Sequence, residues 1–372
     1  MPDNPLLPEL GGKPSKLLEL LNESGARAVM RKPRSDVHFA DVLPYPFLAV
    51  VQQYEMRIAL LLSVINPSVG GVLLIGPRGI GKTTCVRSLT GILPEVEIED
   101  LTVDVEPGQP LPTEWDTVKI VELPLNARLE EVVGGINERI AVQQNKIKLE
   151  PGILSRAHRN LLYIDEVNLL EDTIVDAILD AAAQGSYTVR RGAMSGTFDS
   201  RFVLIGSMNP EEGRLRPQIM DRFGLRVLVK GLTDSEARLE VYRRVREYRE
   251  SPRDFAAQWA DLTNDTRELV GAARELLKET RLNDESIEIG LHLVNELHID
   301  SHRAEFTLFE AARAHAAADG RDIADVHDIR VVAPLALRQR RSQFMVDFFE
   351  RQQEEDDQIY DLMNQLIPVD EK

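Results

Sequence analysis

Cysteine is almost absent from this chain: Cys85 is the only one among 372 residues. A single cysteine excludes an internal disulfide, and such sparse usage is typical of proteins in a reducing compartment. Since Cys85 lies in an apolar helical pattern, we expect a small buried side chain rather than a nucleophile. The cysteine count therefore favours a cytoplasmic protein.

Long apolar runs are also missing. The longest candidate, residues 58–65, is far shorter than the roughly twenty residues needed to cross a bilayer. The first ten residues carry proline, aspartate and glutamate, and they lack the basic-then-apolar order of a signal peptide. We expect no membrane span and action in the cytoplasm.

Basic side chains are in the minority, with 44 lysines and arginines against 61 aspartates and glutamates and a formal net charge of -17 at pH 7. This balance disfavours non-specific binding to nucleic acid or to anionic membranes. A DNA helicase or a clamp loader would favour a basic channel, so both are weaker interpretations. We expect no nucleic-acid partner.

The length of the chain exceeds what one hydrophobic core usually supports, so we expect more than one domain. Residues 1–40 mix prolines, glycines and charges, which predicts a flexible N-terminal extension. Residues 41–231 alternate helical and strand patterns, as in an α/β domain with a mostly parallel, doubly wound sheet. Residues 232–372 show helical periodicity and predict a helical linker followed by an all-helical C-terminal domain.

Individual elements follow from the same patterns. Apolar runs predict strands at residues 72–75, 118–123, 161–164, 202–205 and 225–229. Helical spacing predicts one helix at 47–65 and five more at 235–248, 266–279, 286–299, 307–318 and 326–338. Two further segments predict inserted β-hairpins, namely 140–149 around Gln144-Asn145 and 187–202 around Gly192 and Gly196.

The segment GPRGIGKT, residues 76–83, follows an apolar strand and precedes a helical pattern, which is the context of a P-loop. The glycines let the backbone wrap a phosphate chain, Lys82 adds charge near the β- and γ-phosphates, and the Thr83 hydroxyl would hold Mg²⁺. A glycine-rich turn that binds nothing is the alternative. The predicted nucleotide-binding residues are Gly76, Pro77, Arg78, Gly79, Ile80, Gly81, Lys82, Thr83 and Thr84.

Two carboxylates, Asp165 and Glu166, end the strand at 161–164 and form a Walker B pattern. Asp165 would act on the Mg²⁺ of Mg-ATP, while Glu166 would orient or deprotonate the attacking water. An acidic cap after a strand is the plain alternative. The next strand ends in Asn209, whose amide could hold the water or a phosphate oxygen, although Asn-Pro alone is a simple turn.

Arg216 and Arg222 lie beyond the strand that ends at Asn209. An arginine near a transferring phosphoryl group accelerates hydrolysis by roughly 10³- to 10⁵-fold, because it neutralises charge that grows in the transition state. Either side chain is therefore a candidate for that role.

These motifs, in this order, resemble the AAA+ ATPase subunit (I subunit) of magnesium chelatase. The resemblance is carried by the P-loop, by YIDEVNLL at 163–170, by GSMNPEEG at 206–213 and by LRPQIMDRFG at 215–224. The segment EPGILSRAHR at 150–159 belongs to the same pattern, and the resemblance covers residues 44–340. The chain departs from the family pattern at Pro77, Ile80 and Met208 and after residue 338.

The resemblance implies roles that spacing alone does not show. Asn209 would be sensor 1, Arg222 an arginine finger offered to the ATP of a neighbouring subunit, and Arg303 the sensor 2 arginine of a helical lid. With Glu166 they would form the catalytic set, and Arg216 would lie near the subunit interface. The two hairpins would be the helix-2 and pre-sensor-1 insertions of the family.

The resemblance also implies partners and a pathway. Family members form homo-oligomeric, hexameric rings and pair with a second subunit that carries an AAA+-like part and an integrin-type metal domain. A third, large subunit binds the porphyrin. The motor would use ATP and Mg²⁺ to drive Mg²⁺ insertion into protoporphyrin IX in (bacterio)chlorophyll biosynthesis.

Two other interpretations share the P-loop. A related AAA+ remodelling ATPase, such as a cobalt chelatase or a MoxR-like chaperone, would have the same fold and another client. A P-loop GTPase would need an Asn-Lys-x-Asp segment, whereas Asn145-Lys146 continues with Ile147-Lys148. The GTPase interpretation is therefore weak.

Overall fold

The computed structural model describes residues 43–99, 113–136, 149–191, 194–341, 356, 358 and 359. The extension predicted over residues 1–40 lies outside this part of the chain. All structural statements below refer to the described residues.

A five-stranded parallel sheet forms the centre of the first domain, and each of its strands overlaps a predicted one. The strands are β1 (Val72–Ile75), β4 (Ile120–Glu122), β7 (Leu161–Ile164), β10 (Val203–Met208) and β11 (Leu225–Leu228). Their order in the sheet is β11-β1-β10-β7-β4.

Both faces of this sheet are covered, because successive side chains of a strand point to opposite sides. Val72 and Leu74 of β1 belong to one apolar cluster, whereas Leu73 and Ile75 belong to the other. The predicted doubly wound α/β architecture is confirmed. Its helices are α1 (Tyr54–Ile65), α2 (Lys82–Ser88), α3 (Leu129–Val133), α4 (Ile153–Arg156), α5 (Asp172–Gln184) and α6 (Pro217–Arg222).

The helix predicted over residues 47–65 is interrupted. A 3₁₀ turn covers Phe47–Ala49, and α1 begins only at Tyr54. Gln52 and Gln53 have positive φ angles of 53° and 51°, so the backbone leaves the helical region between the two pieces. Apolar spacing continues across this break, which is why periodicity alone predicts one helix.

Three antiparallel pairs accompany the parallel sheet. The predicted hairpin at 187–202 corresponds to β8 (Ser186–Arg191) and β9 (Met194–Asp199). Gly196 lies within β9 opposite Val189 rather than in the turn, and Gly192 lies outside the described residues.

The other predicted hairpin, at 140–149, lies almost entirely outside the described part, including its turn at Gln144-Asn145. The residues that flank it form an antiparallel pair, β5 (Gly134–Ile136) with β6 (Leu149–Pro151). The pattern analysis did not predict the third pair, β2 (Val96–Glu99) with β3 (Thr113–Asp116).

The second domain is helical, as predicted, with one additional helix and one short parallel ladder between β12 (Arg281–Leu282) and β13 (Ile323–Ala324). Each strand of this ladder contains only two residues and lies in a connection between two helices. The helices are α7 (Ser235–Glu250), α8 (Pro252–Gln258), α9 (Ala260–Leu276), α10 (Asp284–Glu296), α11 (Arg303–Ala318) and α12 (Val326–Leu337). In the described part of the chain, none of the helices combines the length and the apolar character that a bilayer crossing requires.

Asp221 links the helical domain to the sheet domain. Its carboxylate accepts hydrogen bonds from Ser301 Oγ at 2.8 Å and from Arg303 Nη1 at 3.3 Å. Arg340 Nη1 donates to the same carboxylate at 2.8 Å, and its side chain is fully buried. The carboxylate therefore fixes the start of α11 and the end of the helical domain against α6.

Candidate active site

The carboxyl ends of β1, β7 and β10 meet at one edge of the sheet, and the P-loop follows β1 there. The Gly76 amide donates to Met208 O at 3.1 Å, which joins the loop to the end of β10. A Cβ atom at Gly76 would lie 2.2 Å from Val229 O, so only glycine fits this close approach. Gly79 and Gly81 have φ angles of 78° and 87°, in the region that favours glycine.

Lys82 lies under this loop and is 8% exposed. Its Nζ donates to the carbonyl oxygens of Gly76 and, at 2.9 Å, Pro77. Burial lowers the pKa of Lys82, while the nearby carboxylates of Asp165 and Glu166 oppose that shift. The ammonium group is thus held at the centre of the loop, where a phosphate chain would replace carbonyl oxygens as its partner.

Asp165 is the hub of a hydroxyl network. Its Oδ1 accepts from Tyr163 Oη at 2.9 Å and from Ser207 Oγ, and Thr83 Oγ1 lies 3.4 Å from its Oδ2. Burial raises the pKa of Tyr163 to about 12, so this phenol stays protonated and donates its hydrogen bond. The structure therefore brings Thr83 and Asp165 together, as the sequence predicts for a Mg²⁺ site.

Glu166 follows in a left-handed backbone conformation, with φ 59° and ψ 55°. This conformation is uncommon for a residue with a side chain and is typical of functional sites. The Glu166 amide donates to Ser207 Oγ at 3.2 Å. Ser207 thereby touches both Walker B residues, a contact that sequence reasoning missed. A polar hydroxyl within the apolar run of β10 is the signal that could have found it.

Arg78 of the P-loop binds the Glu166 carboxylate. Its Nη2 lies 2.7 Å from Glu166 Oε1 and also 2.7 Å from Glu212 Oε1. The second arginine nitrogen, Nε, donates to Glu166 Oε1 at 2.9 Å. Sequence reasoning placed Arg78 among the nucleotide-binding residues but missed Glu212, which lies in the turn after β10.

Asn209 lies at the end of β10 and is 4% exposed. Its Oδ1 accepts from the Glu211 amide at 3.3 Å, which is the turn geometry expected of Asn-Pro. The same side chain also lines the cavity that contains the P-loop, Asp165 and Glu166. The structure therefore places Asn209 beside the P-loop and the two carboxylates.

This first cavity has a volume of about 1170 Å³. Apolar and aromatic side chains that sequence reasoning missed also line it, from the segment before α1 and from α7. They are Tyr45, Val50, Val51, Val241 and Tyr242. The cavity thus combines charged and apolar lining residues, as is common in ligand sites.

Arg222 and Arg303 lie elsewhere. They line a second cavity of about 790 Å³, and neither lines the first one. Arg222 Nη1 lies 2.5 Å from Asp180 Oδ1, and Arg303 Nη1 lies 3.3 Å from Asp221 Oδ2. The structure therefore separates the predicted site residues into two groups within one protomer. Arg216 pairs with Asp172 at the start of α5.

Cys85 is fully buried on α2, and burial raises the pKa of its thiol to about 12. A thiol with so high a pKa is not a nucleophile at neutral pH. The expected role as a small buried residue is confirmed.

The fold and the site define a P-loop ATPase of the AAA+ class. A glycine loop follows β1 of a parallel sheet, paired carboxylates end the strand two positions away, and a helical domain follows the sheet domain. Membership of this class implies use of a nucleotide and Mg²⁺.

Comparison with known proteins identifies the family. The family model described as "Magnesium chelatase, subunit ChlI" matches residues 47–214, and an AAA lid domain model matches residues 288–362. A ChlI homolog from Methanocaldococcus jannaschii is 42% identical over 316 residues, covering 81% of this chain and 87% of the relative. The magnesium-chelatase 38 kDa subunit of Rhodobacter capsulatus is 40% identical over 306 residues, covering 80% and 87%.

The chain therefore belongs to the ChlI family of magnesium-chelatase subunits, which confirms the resemblance seen in its motifs. A crystal structure of an ATPase candidate from Cytophaga hutchinsonii shares the fold, with a TM-score of 0.54 and 21% identity. The match covers 87% of this chain and 88% of that one.

Proposed function

We propose that this protein is the ATPase motor of a magnesium chelatase. It hydrolyses Mg-ATP in a ring and thereby drives insertion of Mg²⁺ into protoporphyrin IX in (bacterio)chlorophyll biosynthesis. The observation that carries the proposal is the convergence of Lys82, Thr83, Asp165 and Glu166 in one cavity at the sheet edge. This is the set of groups that phosphoryl transfer to water requires.

The residues present fit Mg-ATP. The loop bounded by Gly76 and Gly81 leaves room for a phosphate chain, and Lys82 supplies a cation beneath it. Thr83 and Asp165 would hold Mg²⁺, because their oxygens lie together and oxygen is the ligand that Mg²⁺ prefers. The metal would supply positive charge to the phosphates.

Glu166 is the proposed general base. Its carboxylate lies at the mouth of the loop, where it would orient the attacking water and accept its proton. Asn209, at the end of the neighbouring strand, would hold that water or a phosphate oxygen. Both side chains line the first cavity, which supports the assignment.

Arg222 and Arg303 require a second subunit. Since both line the second cavity, neither reaches the P-loop of its own protomer in this structure. In a head-to-tail ring the second cavity of one subunit would face the first cavity of the next. We infer that Arg222 is a finger acting in trans and that Arg303 acts as sensor 2 from the helical lid.

The proposed assembly is a homo-oligomeric ring, a hexamer, that works in the cytoplasm with two further subunits. One carries an AAA+-like part and an integrin-type metal domain, and the other binds the porphyrin. The proposed ATPase core spans residues 41–231, and the linker and lid span residues 232–372.

Reconstitution tests the proposal. Mg-ATP-dependent insertion of Mg²⁺ into protoporphyrin IX is followed by fluorescence, with this protein added to the other two chelatase subunits or omitted. Insertion that depends on this protein, and that Glu166→Gln abolishes, is the expected result. ATPase activity without insertion would overturn the chelatase assignment and favour another client, such as that of a cobalt chelatase or a MoxR-like chaperone.

A further inference from the structure

Arg78 lies at the tip of the P-loop, yet its strongest contacts are with carboxylates rather than with the loop. Its guanidinium group binds Glu166 through two nitrogens, at 2.7 and 2.9 Å. It also binds Glu212 at 2.7 Å. One exposed arginine therefore connects three segments: the P-loop, the end of β7 and the turn after β10.

The exposure of the three partners shows how this contact can change. The Arg78 side chain is 66% exposed, whereas Glu166 and Glu212 are 18% and 24% exposed. An exposed ion pair is weak and is exchanged easily, because water screens the attraction. The arginine is thus the exposed member of the cluster, while the two carboxylates are largely buried.

The contact with Glu166 has a chemical consequence. The Glu166 oxygen that faces Arg78, Oε1, is occupied by two N–H groups of the guanidinium. In this arrangement Glu166 has one oxygen fewer with which to hold a water molecule in position.

A triphosphate in the loop offers Arg78 a better partner than a single carboxylate. It carries several negative charges and presents oxygens that suit the planar fork of arginine. Arg78 and the phosphate-binding groups line the same cavity. Occupation of the loop would therefore draw the guanidinium group away from Glu166.

We propose that Arg78 is a positioning residue that couples occupation of the P-loop to release of Glu166. In the arrangement seen here Arg78 binds Glu166 and occupies its Oε1. When a triphosphate binds, Arg78 exchanges Glu166 for a phosphate oxygen, and the carboxylate becomes free to orient water. The inference rests on the proposed function of Glu166 as general base.

A double-mutant cycle on nucleotide affinity tests this exchange. The four proteins are wild type, Arg78→Gln, Glu166→Gln and the double variant, and the probe is a fluorescent, non-hydrolysable ATP analogue with Mg²⁺. If Glu166 competes with the triphosphate for Arg78, Glu166→Gln tightens binding by roughly two- to fivefold, the range of an exposed ion pair. In the Arg78→Gln background the same substitution has a smaller effect, because there is no arginine to release.

Simple charge repulsion between Glu166 and the phosphates predicts the opposite ranking of the two affinity gains. If Glu166 only repels the phosphates, its neutralisation tightens binding at least as much without Arg78 as with it, since the arginine screens that repulsion. A gain in the Arg78→Gln background equal to or larger than the gain in wild type would overturn the proposal. High salt should reduce the coupling free energy obtained from the cycle, because water and ions reach the Arg78–Glu166 pair.

Lys119→Gln is the matched control. Lys119 is 64% exposed and pairs with Asp116 at 2.6 Å, so its substitution removes one cation of similar exposure outside the site. It should leave affinity for the analogue unchanged. A further variant, Glu212→Gln, removes the second carboxylate that Arg78 binds. In this background the coupling between Arg78 and Glu166 should keep the same sign.

The outcomes separate this inference from the proposed function. Failure of the wild-type protein to bind the analogue would contradict the assignment of the P-loop itself. Normal binding with the opposite sign of coupling would remove only the role given to Arg78.

Discussion

Two clusters of charged side chains, one in the sheet domain and one in the lid, differ in exposure. In the sheet domain, Arg78 is 66% exposed and shares its guanidinium group between Glu166 and Glu212. In the lid, His315 and Asp328 are both 0% exposed, and His315 Nδ1 lies 2.6 Å from Asp328 Oδ1. Charges of the first kind can exchange partners, whereas those of the second kind cannot without exposing a buried group.

The lid cluster is organised around Asp328. Asp328 also accepts from Arg321 Nη1 at 2.9 Å and from the Asp325 amide at 2.8 Å, which caps α12. With Asp319 the cluster has the spacing of metal ligands, but Arg321 already supplies the positive charge. In these two clusters, the buried charges hold the fold, whereas the exposed charge is able to exchange one partner for another.

Substitution of Arg222 should have the largest effect. Arg222→Ala should retain ATP binding but lower kcat by roughly 10³- to 10⁵-fold, because a transition-state arginine is lost. When the variant is mixed with wild type under ring-forming conditions, the ATPase activity of the mixture should be lower than that of wild type diluted to the same extent. Stability should change little, since Arg222 is 30% exposed.

Arg87→Ala is the control for this variant, because Arg87 is an exposed arginine that pairs with Glu122. ATPase assays and analytical ultracentrifugation follow activity and ring formation. An Arg222→Ala ring that hydrolyses ATP at the wild-type rate would contradict a finger in trans.

Substitution of the proposed base comes next. Glu166→Gln should still bind Mg-ATP, with the roughly two- to fivefold gain in affinity expected from release of Arg78, and should lower kcat by roughly 10²- to 10⁴-fold, the usual contribution of general base catalysis. The measurement is steady-state hydrolysis beside equilibrium binding, with Glu122→Gln as an exposed carboxylate control. Normal turnover in Glu166→Gln would remove the catalytic assignment.

Substitution in the lid cluster should change the stability of the protein rather than its activity. Asp328→Asn should reduce the free energy of unfolding by roughly 3–5 kcal/mol, because loss of one buried charge leaves its partners uncompensated. Urea denaturation measures the loss. Asp116→Asn, which removes a partly exposed carboxylate from its pair with Lys119, should be close to wild type. An Asp328→Asn protein with lower kcat and unchanged stability would contradict a purely structural role for the lid cluster.

The P-loop lysine should affect affinity. Lys82→Ala should weaken ATP binding by roughly ten- to a hundredfold, since a hydrogen bond to a charged group contributes about 1.5–3 kcal/mol. Titration with a fluorescent ATP analogue measures the change. Unchanged affinity would mean that the nucleotide does not use this loop.

Contiguous motifs made much of the site predictable. The P-loop, Asp165-Glu166 and Asn209 each follow an apolar strand, and parallel strands necessarily bring their carboxyl ends to one edge. The family resemblance added Arg303 and the role of Arg222 in trans, but only the structure shows that these two share a second cavity. Separation of the predicted residues into two groups is a property of tertiary packing, which no local pattern records.

Other features were not predicted from the sequence, for similar reasons. The bridge from Arg78 to Glu212 depends on two turns that are distant in sequence. The break before α1 depends on positive φ at Gln52 and Gln53, and glutamine has no marked preference for that conformation. The buried pair of His315 and Asp328 lies on helices whose periodicity was correctly predicted, yet periodicity does not show which polar groups face inward.

The smallest predicted effect is the pH dependence of the lid cluster. Burial alone would raise the pKa of Asp328, but hydrogen bonds from His315 and Arg321 outweigh it, and the pKa in the folded protein is lowered. A lowered pKa contributes stability that is complete above the unfolded value, about 3.9 for aspartate, and that is lost as the pH falls below it. The difference in unfolding free energy between wild type and Asp328→Asn should therefore be constant near neutrality and shrink below about pH 4. Urea titrations of both proteins at a series of pH values measure it. A difference that stays constant into the acid range would show that Asp328 acts through packing rather than through its charge.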